Sequence, residues 1–269
     1  MSLRSVLCAM ALIASAASAA QQPAVRLYAA GSLRSAMTDI AQAFTAAGGP
    51  EVKATFGASG LLRERIEKGE AADVFASADM GNAEALARAG RAARPVVFAR
   101  NTLCALVAPG LDVTTDTLLD RMLDPGIKLG TSTPKADPSG DYAWMLFERA
   151  EKQRPGAYKT LDAKALKLVG GRDSPQPPPD RSLYGVMIAE RKADIFLTYC
   201  TNAMQAAHEI SGARVVAVPE ALAVGADYGL TTMDQAPPSA ARFAAFVMSA
   251  EAQRILAGYG FAPRADATR

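Results

Sequence analysis

The sequence predicts an α/β fold in which mainly parallel sheets are flanked by helices. Two observations lead to this prediction. Short segments of alternating apolar residues are followed by segments whose apolar residues recur at helical spacing, and this order repeats along the whole chain. Strands that alternate with helices are typical of parallel sheets. The 269 residues suffice for one large domain or two of ordinary size.

The individual elements follow from the same periodicities. In the first part of the chain, strands are predicted at 25–29, 52–56, 73–76, 94–98 and 102–107, and helices at 35–47, 61–68 and 81–89. In the remainder, strands are predicted at 128–130, 193–199, 215–218 and 228–232, and helices at 115–122, 183–191, 240–248 and 251–259. A further helix is predicted to begin near Asp141, with a buried face formed by Tyr142, Met145, Leu146 and Ala150. The proline-rich residues 170–180 are expected to form an exposed loop.

Serines precede three of the predicted helices. Ser32 and Ser59 each follow a strand and lie beside glycines, and Ser139 lies between Pro138 and Gly140. A serine at a helix start caps the helix or, together with the free backbone N–H groups of the first turn, binds an anion. Capping alone is the more common role at a single junction. Two such junctions in one small α/β unit indicate that the serines converge on one oxyanion.

Residues 1–20 have the pattern of a secretory signal peptide. Arg4 is followed by a short apolar run and then by Ala17-Ser18-Ala19, a typical cleavage site. The run is too short to span a membrane as a mature helix, so the mature chain is expected to be exported without membrane insertion. The chain has 29 basic and 27 acidic residues and no polybasic run. Nucleic acids and membrane surfaces are therefore not expected partners.

Enzyme chemistry has little support in the sequence. His208 is the only histidine, and its surroundings predict a solvated position on an amphipathic helix. The GASG segment around Ser59 is not the G-x-S-x-G nucleophile motif, and no metal-binding or nucleotide-binding motif occurs. We therefore expect no enzymatic activity, no cofactor and no cation site. The alternative is a hydrolase or transferase in which Ser59 acts with a lysine as the base.

Several segments resemble the periplasmic molybdate-binding proteins of ABC transporters. They read YAAGSLRSAM, FGASG, ADVFASAD, DPSGDYA, ADIFLTY and YGF, and the resemblance runs from about Val25 to Phe261. It implies a two-lobed type II periplasmic binding protein fold with a ligand cleft between the lobes. Residues 24–100 and 220–269 would form lobe one, and residues 101–219 would form lobe two.

The resemblance also implies a set of ligand-binding residues. Ser32 and Ser59 match the two serines of the family, Ser139 matches a position whose backbone N–H binds the ligand, and Tyr199 matches the tyrosine. The remaining loop falls at Arg181 or Ser182, where the family has a small apolar residue. Arg181 is expected to point outward; if it points inward, the ligand is larger, more highly charged or chelated.

A site made of neutral donors suits molybdate, tungstate or sulfate, which are unprotonated dianions near neutral pH. Phosphate keeps a proton part of the time and prefers a carboxylate acceptor, which Asp141 and Asp180 could supply. The resemblance implies capture of molybdate or tungstate by a periplasmic monomer, and delivery to a permease with an ATPase subunit. The alternative is a receptor of the same fold for sulfate, phosphate or an organic carboxylate.

Two cysteines remain after the signal peptide. Cys104 and Cys200 lie on predicted strands of lobe two, and an exported chain meets an oxidising compartment. We expect them to form a disulfide if the two strands are neighbours. Two separate buried thiols are the alternative.

Overall fold

The computed structural model describes residues 22–176 and 181–262. The predicted signal peptide, residues 1–20, lies outside these residues, and so does Asp180. Within the described residues, no helix is long and apolar enough to cross a membrane.

The described strands form one continuous mixed sheet. Their bounds are β1 Val25–Ala30, β2 Val52–Gly57, β3 Val74–Ser77, β4 Val96–Val107, β5 Leu129–Ser132, β6 Leu166–Val169, β7 Ile195–Tyr199, β8 Arg214–Ala217 and β9 Gly225–Thr232. The order is β2-β1-β3-β9-β4-β7-β5-β6, and β8 pairs with β4. The pairs among β1, β2 and β3 and those among β5, β6 and β7 are parallel, whereas β4 and β9 make antiparallel pairs at the centre.

Helices connect the strands and flank the sheet. Their bounds are α1 Arg34–Ala46, α2 Ser59–Glu67, α3 Met80–Arg88, α4 Leu118–Leu123, α5 Pro138–Gln153, α6 Ala157–Lys164, α7 Leu183–Ala189, α8 Cys200–Glu209, α9 Pro238–Val247 and α10 Ala250–Gly258. The apolar faces of α1 and α9 meet through the rings of Phe44 and Phe243, whose centroids are 5.2 Å apart. This contact belongs to the core beneath β1.

Strand β4 joins the two halves of the sheet. Its first part pairs with β9, and its second part, from Leu103 onward, pairs with β7 and β8. The sequence had predicted two strands here, at 94–98 and 102–107, because Arg100 and Asn101 interrupt the apolar pattern. In the structure Arg100 forms an ion pair with Asp227, and Asn101 is buried and hydrogen-bonded, so the strand continues. We call β1, β2, β3 and β9 the β1 half of the sheet, and β5, β6, β7 and β8 the β5 half.

Other differences from the predicted elements are local. Helix α6 and strand β6 were not predicted, because few of their residues are buried. These are Ala157 and Leu161 in α6 and Val169 in β6. Helix α5 begins at Pro138 rather than near Asp141. Its buried face includes Leu146 and Ala150 as predicted, but Met145 is 43% exposed.

A disulfide links Cys104 of β4 to Cys200, the first residue of α8. Their Cα atoms are 4.7 Å apart and their positions in the chain differ by 96 residues. Because Tyr199 immediately precedes Cys200 and pairs with Leu103 of β4, the disulfide lies beside the end of β7. It therefore anchors the point at which Tyr199 leaves the sheet.

Candidate functional site

The carboxyl ends of parallel strands bring the predicted site residues together. Ala30 at the end of β1 pairs with Gly57 at the end of β2, so the turns that carry Ser32 and Ser59 lie side by side. Strands β5 and β7 are also parallel, and their carboxyl ends lead toward Ser139 and Tyr199. Ligand sites of α/β proteins form at such strand ends because loops and helix N-termini converge there.

Ser59 and Tyr199 meet at one residue of the β1 half. Ser59 is fully buried, and its Oγ accepts a hydrogen bond from the Ala78 backbone N–H at 3.1 Å. The Tyr199 hydroxyl donates to the Ala78 carbonyl, also at 3.1 Å. Within the described residues this is the one hydrogen bond of Ser59 Oγ, which leaves its hydroxyl hydrogen available to an anion.

Ser32 lies in a 3₁₀ turn, Gly31–Leu33, that precedes α1. It does not cap α1, whose N-cap residue Leu33 makes no side-chain capping bond. Of the two roles that the sequence allows for Ser32, capping of α1 is therefore not observed. Its Oγ instead shares a 2.9 Å hydrogen bond with the hydroxyl of Tyr228, in β9.

Ser139 is the second residue of α5, and Asp137 is the N-cap. The Ser139 backbone N–H, the predicted ligand donor, donates to Asp137 Oδ1 at 3.0 Å. The Ser139 side chain, unlike the backbone N–H, is not bonded to Asp137. Ser139 is 1% exposed, and its Oγ has no hydrogen-bond partner among the described residues. A buried hydroxyl without a partner is costly, so this oxygen is a candidate ligand group.

Arg181 and Ser182 form the remaining predicted loop, and both are held by Glu209 of α8. Arg181 Nε lies 3.2 Å from Glu209 Oε2, and the arginine side chain is 46% exposed. The Ser182 backbone N–H donates to both Glu209 carboxylate oxygens, at 2.8 and 2.9 Å. Glu209 thus accepts the hydrogen bond that this loop was expected to offer a ligand.

A cavity of about 320 Å³ lies between the two halves of the sheet. The β1 half contributes Gly31, Gly57 and Ala58, which are neighbours in the chain of Ser32 and Ser59. The predicted site residues Ser32, Ser59, Ser139 and Tyr199 do not themselves line this cavity. The β5 half contributes Asp137, Gly170, Gly171, Arg181, Ser182, Tyr184 and Asn202. Its volume is at the lower end of the range for small-molecule sites.

Arginines give this cavity a positive rim. Arg65 is paired with Glu70, and Arg181 is paired with Glu209. Arg34 lies over the Phe56 ring, 4.8 Å from its centroid, and has no ion-pair partner among the described residues. Arg34 is therefore the rim arginine whose charge is least compensated within this part of the chain.

The two halves of the sheet are in direct contact beside the cavity. The Gly60 backbone N–H, in the first turn of α2, donates to the Ala136 carbonyl at 3.0 Å. A Cβ atom on Gly60 would lie 2.6 Å from the Lys135 carbonyl oxygen and 2.8 Å from that of Ala136. Glycine is required here because the two backbones approach too closely for any side chain.

Burial determines the protonation states around the cavity. It raises the pKa of the Asp137 carboxyl to about 6, against the lowering effect of the Ser139 backbone N–H. Burial also raises the pKa values of the Tyr199 and Tyr228 hydroxyls well above their ordinary value. Both tyrosines are therefore neutral and keep their protons at physiological pH.

Three residues of this site were not singled out in the sequence: Asp137, Glu209 and Tyr228. Asp137 had a recognisable signal, since an Asp directly before a proline that opens a helix is a common N-cap. Glu209 and Tyr228 had none, because each acts on a residue distant in the chain. Tyr228 is 196 positions from Ser32.

The described residues contain no group of three His, Cys, Asp or Glu side chains that could hold a metal ion. His208 lies exposed on α8. The hydrogen bonds of Ser59 in the described residues involve the Ala78 backbone and no lysine or histidine.

Comparisons with known proteins agree with this architecture. A family model described as bacterial extracellular solute-binding protein matches residues 25–262. The uncharacterized protein PM1146 of Pasteurella multocida is 37% identical over 207 residues, which are 77% of this chain and 86% of that protein. The molybdate-binding protein ModA of Mycobacterium tuberculosis is 28% identical over 240 residues, 88% of this chain and 83% of that protein.

A solved structure shares the fold. The sulfate-binding protein SubI of Mycobacterium tuberculosis superposes with a TM-score of 0.76 at 18% identity, over 91% of this chain and 88% of that one. The predicted two-lobed type II fold is confirmed, and so is the resemblance to molybdate-binding proteins. The chain belongs to the family of bacterial extracellular solute-binding proteins.

Proposed function

We propose that this protein is a periplasmic receptor that binds molybdate or tungstate and delivers it to an ABC permease with an ATPase subunit. The chain acts as a monomer, performs no chemistry on its ligand and needs no cofactor. The anion is held by the neutral donors Ser32, Ser59 and Ser139 and by Tyr199, whose hydroxyl proton moves from the Ala78 carbonyl to the anion on binding. Arg181 contributes positive charge at the rim. The Ala17-Ser18-Ala19 cleavage pattern is the basis for export to the periplasm.

One observation supports the oxyanion ligand above all others. Hydroxyls from both halves of the sheet meet where strands end, since Ser59 and Tyr199 both bond Ala78. Ser139 adds a buried hydroxyl with no partner in the described chain. Donors fixed by the fold bind an anion with little loss of conformational entropy.

A second candidate is a receptor of the same fold for another anion, such as sulfate, phosphate or an organic carboxylate. Two observations favour it. The cavity volume falls within the range of small-molecule sites, which suits an organic carboxylate. Asp137 also places a carboxyl among the donors, where a fully deprotonated dianion meets repulsion.

The test is isothermal titration of the chain from Gln21 onward with molybdate, tungstate, sulfate and phosphate in an anion-free buffer. We expect one-to-one binding of molybdate and tungstate, with much weaker binding of sulfate because a well-packed closed cleft resists an anion of the wrong size. Tighter binding of sulfate or phosphate would replace the proposed ligand by the second candidate. No binding of any of the four anions would refute the oxyanion function.

The contact between the two halves provides a separate prediction. Gly60→Ala should weaken molybdate binding by about 1 to 2 kcal/mol, roughly 5- to 30-fold in Kd, because the new methyl group separates the two backbones beside the cavity. Gly81→Ala is the matched control, since a Cβ there has no neighbour within 4 Å. Equal affinities of the Gly60→Ala and Gly81→Ala variants would show that closure does not depend on this contact.

A further inference from the structure

Asp137 occupies an unusual position for an acidic residue in an anion-binding cleft. It lines the cavity between the two halves of the sheet and is partly accessible from it. Its side chain lies over Gly170, where a Cβ atom would be 2.5 Å from Asp137 Oδ2. The absence of a side chain at Gly170 therefore makes room for this carboxyl at the cavity wall.

The Asp137 carboxyl has no positive partner. Among the described residues it forms no ion pair, and its Oδ1 accepts the Ser139 backbone N–H. The rim arginines Arg65 and Arg181 are engaged by Glu70 and Glu209. Arg34, the third rim arginine, lies over the Phe56 ring and forms no ion pair with Asp137 in the described residues. A carboxylate in this environment is not neutralised by the protein.

Other acidic groups around Asp137 further disfavour a negative charge on its carboxyl. Asp141 on α5 and Asp79 before α3 disfavour a negative charge, whereas the Ser132 hydroxyl and the Ser139 amide favour it. Tyr184, Tyr199 and Tyr228 lie near enough to interact with its charge and stay neutral. With burial as the largest effect, the pKa of Asp137 rises to about 6.

A bound dianion would add two negative charges to the same small cavity. Like charges within a few ångströms strongly disfavour each other's ionised forms, so an ionised Asp137 and a dianion do not share the site at low cost. A single proton between them removes the repulsion and supplies a hydrogen bond to an anion oxygen.

We propose that Asp137 faces the bound anion and shares one proton with it, which makes this residue a determinant of ligand specificity. This inference rests on the proposed oxyanion-binding function. Molybdate and tungstate bring no proton near neutral pH, so the protein must take one up from solvent when it binds them. Hydrogen phosphate brings its own proton, which Asp137 accepts.

The consequence is a specific pH dependence. Below about pH 6 the Asp137 carboxyl is already protonated in the free protein, and molybdate affinity is independent of pH. Above that pH, each binding event takes up a proton, so Kd rises about tenfold per pH unit. The total change between pH 6 and 8 is about fiftyfold, because the carboxyl is half protonated at pH 6.

The experiment is titration of the mature protein with molybdate from pH 5 to pH 8 at constant ionic strength, in pairs of buffers that differ in ionisation enthalpy. We expect the slope just described and uptake of nearly one proton per anion at pH 7.5. Asp137→Asn keeps an N-cap for α5 and should bind molybdate without proton uptake and with a flat pH profile. Ser249→Ala, which removes the N-cap side chain of α10 and does not act on Asp137, should keep the wild-type slope.

The outcomes separate this inference from the proposed function. Molybdate binding that is flat from pH 5 to 8 in the wild-type protein, without proton uptake, overturns the role of Asp137 and leaves the function intact. Failure of the wild type to bind molybdate or tungstate at any pH refutes the proposed ligand, and the same variants are then titrated with phosphate. If the Asp137→Asn substitution weakens phosphate binding at least tenfold, the result supports the shared proton. If the substitution leaves phosphate binding unchanged, or if the wild type does not bind phosphate, the shared proton is overturned. The wild-type proton uptake decides the matter even if Asp137→Asn does not fold.

Discussion

Replacing Cys104 and Cys200 together by serine is expected to lower the free energy of unfolding by about 4 to 5 kcal/mol. The disulfide closes a loop with a sequence separation of 96 residues. In the chain-entropy description, a bond across a loop of that length removes much of the freedom of the unfolded chain and stabilises the folded state by this amount. The substitutions keep the size of the side chains nearly constant, so the loss of the bond dominates the effect.

The measurement is urea unfolding of the mature protein and of the double variant, with the wild type under excess reductant as the matched control. The reduced wild type and the double variant should unfold at similar urea concentrations. Because Tyr199 directly precedes Cys200, we also expect the double variant to bind its anion more weakly. A decrease in unfolding free energy below about 1 kcal/mol would show that the bond contributes little beyond the packing of β4 and α8.

Single substitutions of Ser32 and Ser59 by alanine are expected to cost about 1.5 to 3 kcal/mol of anion binding, roughly 10- to 150-fold in Kd. Each removes one donor from an anion that has no other partner at that position. Ser59→Ala also leaves the Ala78 backbone N–H without its acceptor in a buried place, so its effect should be the larger of the two.

Titration with the anion that the wild type binds measures this loss. Ser35→Ala is the matched control, since Ser35 is a half-buried serine on α1 whose side chain makes no hydrogen bond to Tyr228 or Ala78, the partners of Ser32 and Ser59. Affinities of both Ser32→Ala and Ser59→Ala within twofold of the control would contradict the assignment of these serines to the site.

Much of the fold follows from local sequence patterns. The strands that contain Val25 and Val52 and the helices after them are visible in the sequence because alternation and helical spacing depend only on neighbouring residues. The same patterns fail at β4, where Arg100 and Asn101 resemble a loop. Their hydrogen-bond partners, Asp227 and Thr201, lie 127 and 100 positions away in the chain. No pattern among neighbouring residues therefore indicates that the strand continues.

The candidate site shows the same division. Serines at strand-to-helix junctions point to an anion site from the sequence, and parallel strands guarantee that the junctions share one edge of the sheet. The sequence does not predict whether the hydroxyl or the backbone N–H of each serine is available to a ligand. The Ser139 backbone N–H is occupied by Asp137, whereas its hydroxyl has no partner in the described residues.

By itself, the sequence determined the α/β class, the order of most elements, the family resemblance and the three serine junctions, since all of these rest on residues close together in the chain. Only the tertiary structure decided that Ser32 bonds Tyr228, that Gly60 touches Ala136 and that Asp137 lines the cavity. These contacts join segments that are far apart in the chain. They depend on how the sheet and helices pack as a whole, because burial and charge at a site are properties of its surroundings in space.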